Sequence, residues 1–203
     1  MANNTSFKLY SDSGLTTLYG GSTAFIHESD FSDNPQDLVL YFGSATTGRQ
    51  LEAVSNPGVD NVTLTPTYIL DDWAASTAYS VGDTVIPTTP NGYRYVVTTA
   101  GTSNSSEPSW TTTIGNTNSD SGVVWECIAE THATTEIKLA ITSGGLDSAT
   151  GGAALSLGTT LSSGSGNAVP VYIRITNTVP TVSSNVGNAE LALNINSVVE
   201  TAV

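Results

Sequence analysis

Apolar and polar residues alternate along most of this chain, and that period of two limits the fold more than any other feature. In DLVLYFG, Leu38, Leu40 and Phe42 fall on one side, and Val39 and Tyr41 on the other. Val62 and Leu64 alternate with Thr63 and Thr65, and Ile137, Leu139 and Ile141 with Lys138 and Ala140. Val171, Ile173 and Ile175 alternate with Tyr172, Arg174 and Thr176, and Leu191, Leu193 and Ile195 with Ala192, Asn194 and Asn196. Successive side chains of a strand point to opposite faces, so each run predicts a strand with one face buried and one wet. No window of helical length carries apolar residues at i, i+3, i+4 and i+7 with caps at both ends. Turn-forming segments separate the runs: SNPG at 55–58, TSGG at 142–145 and SSGSGN at 162–167. The expected fold class is all-β, with short strands packed as a sandwich. Only LDSATGGAALSLGTTL at 146–161 leaves a short helix, a Gly-rich loop and a strand open.

The surface that covers such a core is unusual. Charged residues make up 11% of the chain, against roughly 25% in an ordinary soluble protein. Ser, Thr, Asn and Gly must cover it instead, which suits a β-rich fold. The 18 acids against 5 bases give a net charge of −13. Phosphate backbones and anionic membranes are recognised by clustered cations, so direct binding to nucleic acid or to a membrane is not expected. No apolar run approaches the ~20 residues of a membrane helix. MANNTSFKLY lacks the basic and apolar regions of a secretory signal. Cys127 is the sole cysteine, so no intrachain disulfide is available. Together these predict synthesis in a reducing cytoplasm. The Asn-x-Ser/Thr triplets at Asn3, Asn61 and Asn104 read as chance matches in a Thr-rich chain.

Composition divides the chain in three. Residues 1–70 and 133–203 are aliphatic and lack tryptophan, whereas the middle block holds Trp73, Trp110 and Trp125. The expected organisation is a discontinuous β-sandwich, 1–70 plus 133–203, with a small β domain inserted at 71–132. Loop-closure entropy grows slowly with length, so a domain can be inserted where a loop's ends lie close.

The insert has its own order. Trp73 is followed by Tyr79, then by a Gly82-Asp83 turn into a strand at Thr84–Ile86. Asn91-Gly92 is a hairpin signal before a strand in which Tyr93 and Tyr95 share one face and Arg94 and Val96 the other. Gly101, Pro108 and Trp110 follow, and Val123, Val124 and Trp125 close the unit. This series, W…STAYSVGDTV…NGYRYVV…AGTS…EPSW, resembles the small three-stranded carbohydrate-binding modules of chitinases and cellulases. The resemblance covers about 55 residues. It implies aromatic rings stacked on sugar faces, with Tyr93, Trp110, Trp73 and Tyr95 as candidate ligand-binding residues. In one respect this chain departs from the modules: Val96-Val97-Thr98 follows Tyr95 where they present neighbouring exposed rings. The residues themselves leave a second reading open, in which these rings form the core of a domain too small to bury much surface otherwise. In either reading Tyr93 and Trp110 are the two expected nearest the surface.

Versions of the module with a trailing D-G-x-V-W-E segment recur in structural proteins of tailed bacteriophages, and SDSGVVWECI at 119–128 is similar to that ending. The flanks YFGSATTGRQLEAVSNPGVDNVTL and LGTTLSSGSGNAVPVYIRITN resemble phage virion proteins in texture. The resemblance implies a virion protein made in the host cytoplasm, foremost a capsid decoration protein. Its partners would be the major capsid protein or other virion proteins, with self-association as a homotrimer and weak glycan binding. The alternatives are a tail, baseplate or fibre protein, or a carbohydrate-binding protein contacting host-surface glycans.

Catalytic patterns are missing from the sequence. Only His27 and His132 are available as bases for a nucleophile, and no G-x-S-x-G elbow or G-x-x-x-x-G-K loop occurs. Cys127 lies within the alternating VVWECIA and is expected to pack inward. One cysteine and two distant histidines are too few for zinc. Asp30, Asp33 and Asp37 lack the spacing of a calcium loop and read as a solvated acidic turn. Asp71-Asp72 reads as a domain junction rather than an acid/base dyad, and no carboxylate pair stands out as a glycosidase dyad. Neither an enzyme nor a cofactor or metal is expected.

Overall fold

A computed structural model describes residues 5–21, 31–179 and 191–203. Asn3, His27 and Asp30 lie outside the described residues. The strands are β1 (Lys8–Tyr10), β2 (Gln36–Gly43), β3 (Arg49–Ala53), β4 (Val62–Tyr68), β5 (Asp71–Asp72) and β6 (Ala78–Tyr79). They continue with β7 (Thr84–Ile86), β8 (Tyr93–Thr99), β9 (Gly101–Thr102), β10 (Thr117–Asp120), β11 (Val123–Glu130) and β12 (Ile137–Ala140). The last are β13 (Leu155–Gly158), β14 (Thr160–Ser162), β15 (Val169–Ile175), β16 (Leu191–Ile195) and β17 (Val198–Ala202). Helical structure among the described residues is confined to short 3-10 turns, so the fold is all-β. The chain divides into two compact units, Met1–Thr67 with Thr134–Val203, and Tyr68–Ala133.

In the first unit a four-stranded sheet runs β1-β2-β15-β12. Its centre is the antiparallel β2–β15 pair, in register from Val169↔Phe42 to Ile175↔Gln36. Alternation turns Leu40, Phe42, Val171, Ile173, Ile137 and Leu139 inward. Two three-stranded sheets, β13-β4-β16 and β14-β3-β17, contribute to the same core through Leu64, Leu157, Leu51, Leu161 and Val198. The flanking strands of these two sheets come from two stretches of chain, each changing sheet at a bend. One bend lies at Gly158-Thr159, next to a register shift in the β13–β4 ladder. The other lies at Asn196-Ser197, as expected where strands turn the corner of a sandwich. Asn196 holds its corner: its carboxamide accepts from Thr63 N at 2.9 Å and donates to the Asn61 carbonyl at 3.0 Å. Each fully buried aliphatic side chain, such as Leu51 or Val62, contributes roughly 1.5–3 kcal/mol.

The alternation fails at Ile141, which is 50% exposed. β12 ends at Ala140, and the chain leaves the sheet through a 3-10 turn at Ser143–Asp147, N-capped by Thr142. TSGG is therefore the start of a helical turn, and the ambiguous stretch after it resolves into a loop followed by β13 and β14. On the opposite surface of β15, Arg174 grips Asp37 through two bonds of 2.7 and 2.8 Å and Asp147 through one of 2.7 Å. Asp33 accepts from Gln36 at 2.6 Å. Among the described residues no group of three or more His, Cys, Asp or Glu is placed to hold a metal ion.

The second unit is built on a five-stranded sheet, β10-β11-β8-β7-β5, with a two-stranded β6–β9 ribbon. The expectation of three strands is thus too small. β7, β8 and β11 form the centre, β10 extends one side, and Asp71–Asp72 adds a parallel edge against Val85 and Ile86. Both aspartates of that edge are exposed. Asn91-Gly92 ends a longer connection between β7 and β8 rather than forming a two-residue hairpin. The tight hairpin is at Ser121-Gly122, where Asp120 pairs with Val123 and Ser121 takes a φ of +56°.

Candidate functional site

The aromatic residues of the second unit gather on one face of its sheet. Trp73, Val85, Tyr95, Val97, Val123, Trp125 and Cys127 form a buried cluster, with Tyr79, Tyr93 and Trp110 packed against it. Tyr93, Tyr95 and Val97 face inward from alternate positions of β8, and Val123, Trp125 and Cys127 do so from β11. The register Trp125↔Val97 and Cys127↔Tyr95 places the two rows side by side. Burial pushes the Cys127 thiol above its ordinary range and keeps it protonated, so it packs as a small apolar side chain.

Burial decides between the two sequence readings for each candidate. Tyr95 is 0% and Trp73 6% exposed, so neither ring offers a face for stacking, and both are corrected from binding candidates to core residues. The physical reason is the size of the unit, which needs its largest rings to close its core. Tyr93 and Trp110 are half-buried. The Trp110 ring lies 4.2 Å from that of Tyr95, tilted by 37°, and 5.7 Å from that of Trp125, edge to face at 65°. Tyr79 meets Trp125 edge to face at 4.8 Å. The rings therefore interlock instead of forming a row of parallel exposed faces.

The polar ends of these rings are tied to acids that sequence reasoning did not single out. Asp120 is 2% exposed at the end of β10. Its Oδ2 accepts the indole N–H of Trp73 at 2.8 Å and that of Trp125 at 3.1 Å, while Oδ1 accepts from Asn104 N at 2.8 Å. A carboxylate has no donor of its own and takes such bonds at both oxygens, which offsets the cost of its burial. The third indole, Trp110, donates to Glu107 Oε1 at 2.9 Å, and Thr88 N donates to the same oxygen at 2.9 Å. The Thr88 hydroxyl donates to Glu107 Oε2. Partial burial pushes the Glu107 carboxyl up, but the bonds from Thr88 and Trp110 outweigh it and hold the group below its ordinary value. All three indole N–H groups in the chain thus end on carboxylates of this unit.

Loops are tied in the same manner. The Tyr95 hydroxyl donates to the Thr111 carbonyl at 2.8 Å and accepts from Asn91 Nδ2 at 2.7 Å. Burial pushes this phenol above its ordinary value, and the bond from Asn91 opposes the shift. Buried Ser103 donates to the Ala74 carbonyl at 2.7 Å and accepts from Thr77 N at 2.9 Å. Beside it, a Cβ on Gly101 would stand 2.4 Å from the Gly122 carbonyl oxygen, so only glycine lets these two backbones meet.

The first unit has a separate polar recess of about 400 Å³, lined by Ser6, Thr46, Arg49 and Glu200. Ser6 donates to Glu200 from its backbone and its hydroxyl, both at 2.6 Å, and the Ser6 and Ser44 hydroxyls lie 2.6 Å apart. Burial raises the Glu200 carboxyl, but the bonds from Ser6 prevail and hold it below its ordinary value. A carboxylate so stabilised is a poor base toward serine, and the arrangement ties the chain before β1 to β17. No family model, curated protein or solved structure compared with this chain matches it.

Proposed function

We propose that this chain is a non-enzymatic structural protein of a tailed-phage particle, a capsid decoration protein whose sandwich contacts the shell and whose insert is presented as a module. The observation that carries the reading is the construction of the insert. It closes its own aromatic core, ties every indole to its own carboxylates, and interrupts a sandwich that has a mainly aliphatic core of its own. A small unit braced in this way suits presentation on a scaffold. Further support comes from the resemblance of SDSGVVWECI to the ending found in phage structural proteins, since that segment forms the β10–β11 hairpin carrying Asp120. The partner is then the major capsid protein, with a second and third copy of this chain as neighbours.

Rebinding to capsids stripped of their outer proteins tests the reading. Saturable association with a fixed number of copies per shell is expected, and no association would refute it. Immunogold labelling of intact particles is expected to mark the head, and label confined to the tail would favour the baseplate or fibre alternative. Glycan contact is a secondary property in this reading. With Trp73 and Tyr95 sealed, it would fall to Tyr93 and Trp110, and retention of chitin binding by Trp110→Ala would remove Trp110 from it.

A further inference from the structure

Asn91 and Gly92 form the one Asn–Gly step in the chain. Both are exposed, and Gly92 adopts a φ of +84° with nothing within 4 Å of the place a Cβ would take. A backbone nitrogen attacks the carboxamide of the preceding asparagine most readily when its own residue has no side chain to shield the approach. We propose that Asn91 is a site of spontaneous deamidation, and that its conversion releases the lock on Tyr95. The Gly92 nitrogen bonds to Asn91 Cγ, the Cγ–Nδ2 bond breaks, and ammonia leaves with the proton from the Gly92 nitrogen. Water then opens the imide at either carbonyl, giving aspartate or isoaspartate.

The consequence follows from the hydrogen bonds. Asn91 Nδ2 is a donor to the Tyr95 hydroxyl, whose single proton is given to the Thr111 carbonyl. A carboxylate at position 91 has no proton to offer. Tyr95 then faces two acceptors with one proton, and one of the two contacts becomes a repulsion between oxygens. Thr111 adjoins Trp110, whose ring packs on Tyr95, so the disturbance reaches a fluorophore. The Asn–Ser steps at Asn104, Asn118 and Asn196 provide an internal comparison. The carboxamide of Asn118 is held by Thr111 N and the Ser109 carbonyl, and that of Asn196 by Thr63 N and the Asn61 carbonyl. Asn91 is held at both ends as well, by Tyr93 N and Tyr95, but only Asn91 precedes a glycine.

The test holds the full-length protein at mildly alkaline pH and follows it by isoelectric focusing and peptide mapping. An acidic form is expected to accumulate, with the amide-to-acid mass increase at Asn91 and labelling there by an isoaspartyl methyltransferase. Gly92→Ala should lose that form. Asn91→Asp, made directly, should change the tryptophan emission and lower the melting midpoint of the insert by several degrees. Conversion mapped to Asn104, Asn118 or Asn196, or an unmodified Asn91 after a urea-unfolded control has converted, overturns the site. Wild-type emission and midpoint in Asn91→Asp overturn the coupling to Tyr95.

Discussion

The two units solve the same problem with different materials. The sandwich fills its core with Leu, Val, Ile and Phe, which bring no polar atoms inside. The shorter insert fills its core with Trp73, Tyr95 and Trp125, and each ring brings a polar group along. Small domains bury a lower fraction of their surface, so large rings are the efficient filling. Their N–H and O–H groups must then find partners, because an unpaired buried donor is costly. The comparison teaches that the acids of the insert belong to its structure. Asp120 and Glu107 are there because the indoles are, whereas the buried acid among the described residues of the sandwich unit, Glu136, accepts from the backbone and hydroxyl of Thr178 rather than from an indole.

Tryptophan emission can break this comparison, since all three tryptophans lie in the insert and the sandwich is silent. Trp125→Ala removes a fully buried ring and is expected to cost the insert about 3–5 kcal/mol. Leu51→Ala should cost the sandwich about 2–5 kcal/mol by circular dichroism while leaving the tryptophan transition in place. A shift of both transitions by either change would mean that the cores are not separate. Asp120→Ala strands two indole donors and the Asn104 amide, and about 3 kcal/mol of insert stability should be lost in urea titrations followed by fluorescence.

Smaller effects sharpen the picture. Glu107→Gln keeps the shape but weakens the Trp110 and Thr88 bonds, with an expected loss of about 1 kcal/mol near neutral pH. The sign of its pH dependence follows from the lowered carboxyl. Its stabilisation is present above the ordinary value of 4.5 and is lost as the pH falls through the lower folded value. Insert midpoints measured across that acidic range should fall more steeply in wild type than in Glu107→Gln. Arg174→Ala should move the sandwich least, since Asp37 and Asp147 have side chains 48% and 78% exposed and water screens their pairing.

Strands were legible where one face carries several large apolar residues, as in 38–42, 62–65 and 171–175, because burial on one side imposes a period of two; β3, which turns only Leu51 and Ala53 inward, gave no such signal. The same signal overran at Ile141, where Gly144 and Gly145 follow within a few residues and the chain leaves the sheet. It was silent at β10, whose sequence TNSD has no apolar residue to alternate. Asp120 therefore reads as the acid of an Asp-Ser-Gly turn, although strand geometry turns it inward toward two indoles that are remote or hidden in sequence. The ring positions were legible from the spacing of the insert, but their exposure was not. A stacking residue and a core residue are the same amino acid, and only the packing of Trp110 over Tyr95 distinguishes them.

The self-sufficiency of the insert can be measured on residues 68–133 expressed alone. Heteronuclear NMR of that segment should give dispersed amide resonances and three downfield indole N–H signals, at the shifts they hold in the full chain. Collapsed dispersion, with the indole signals merged at their solvent-exposed position, would contradict a unit that is braced by its own carboxylates.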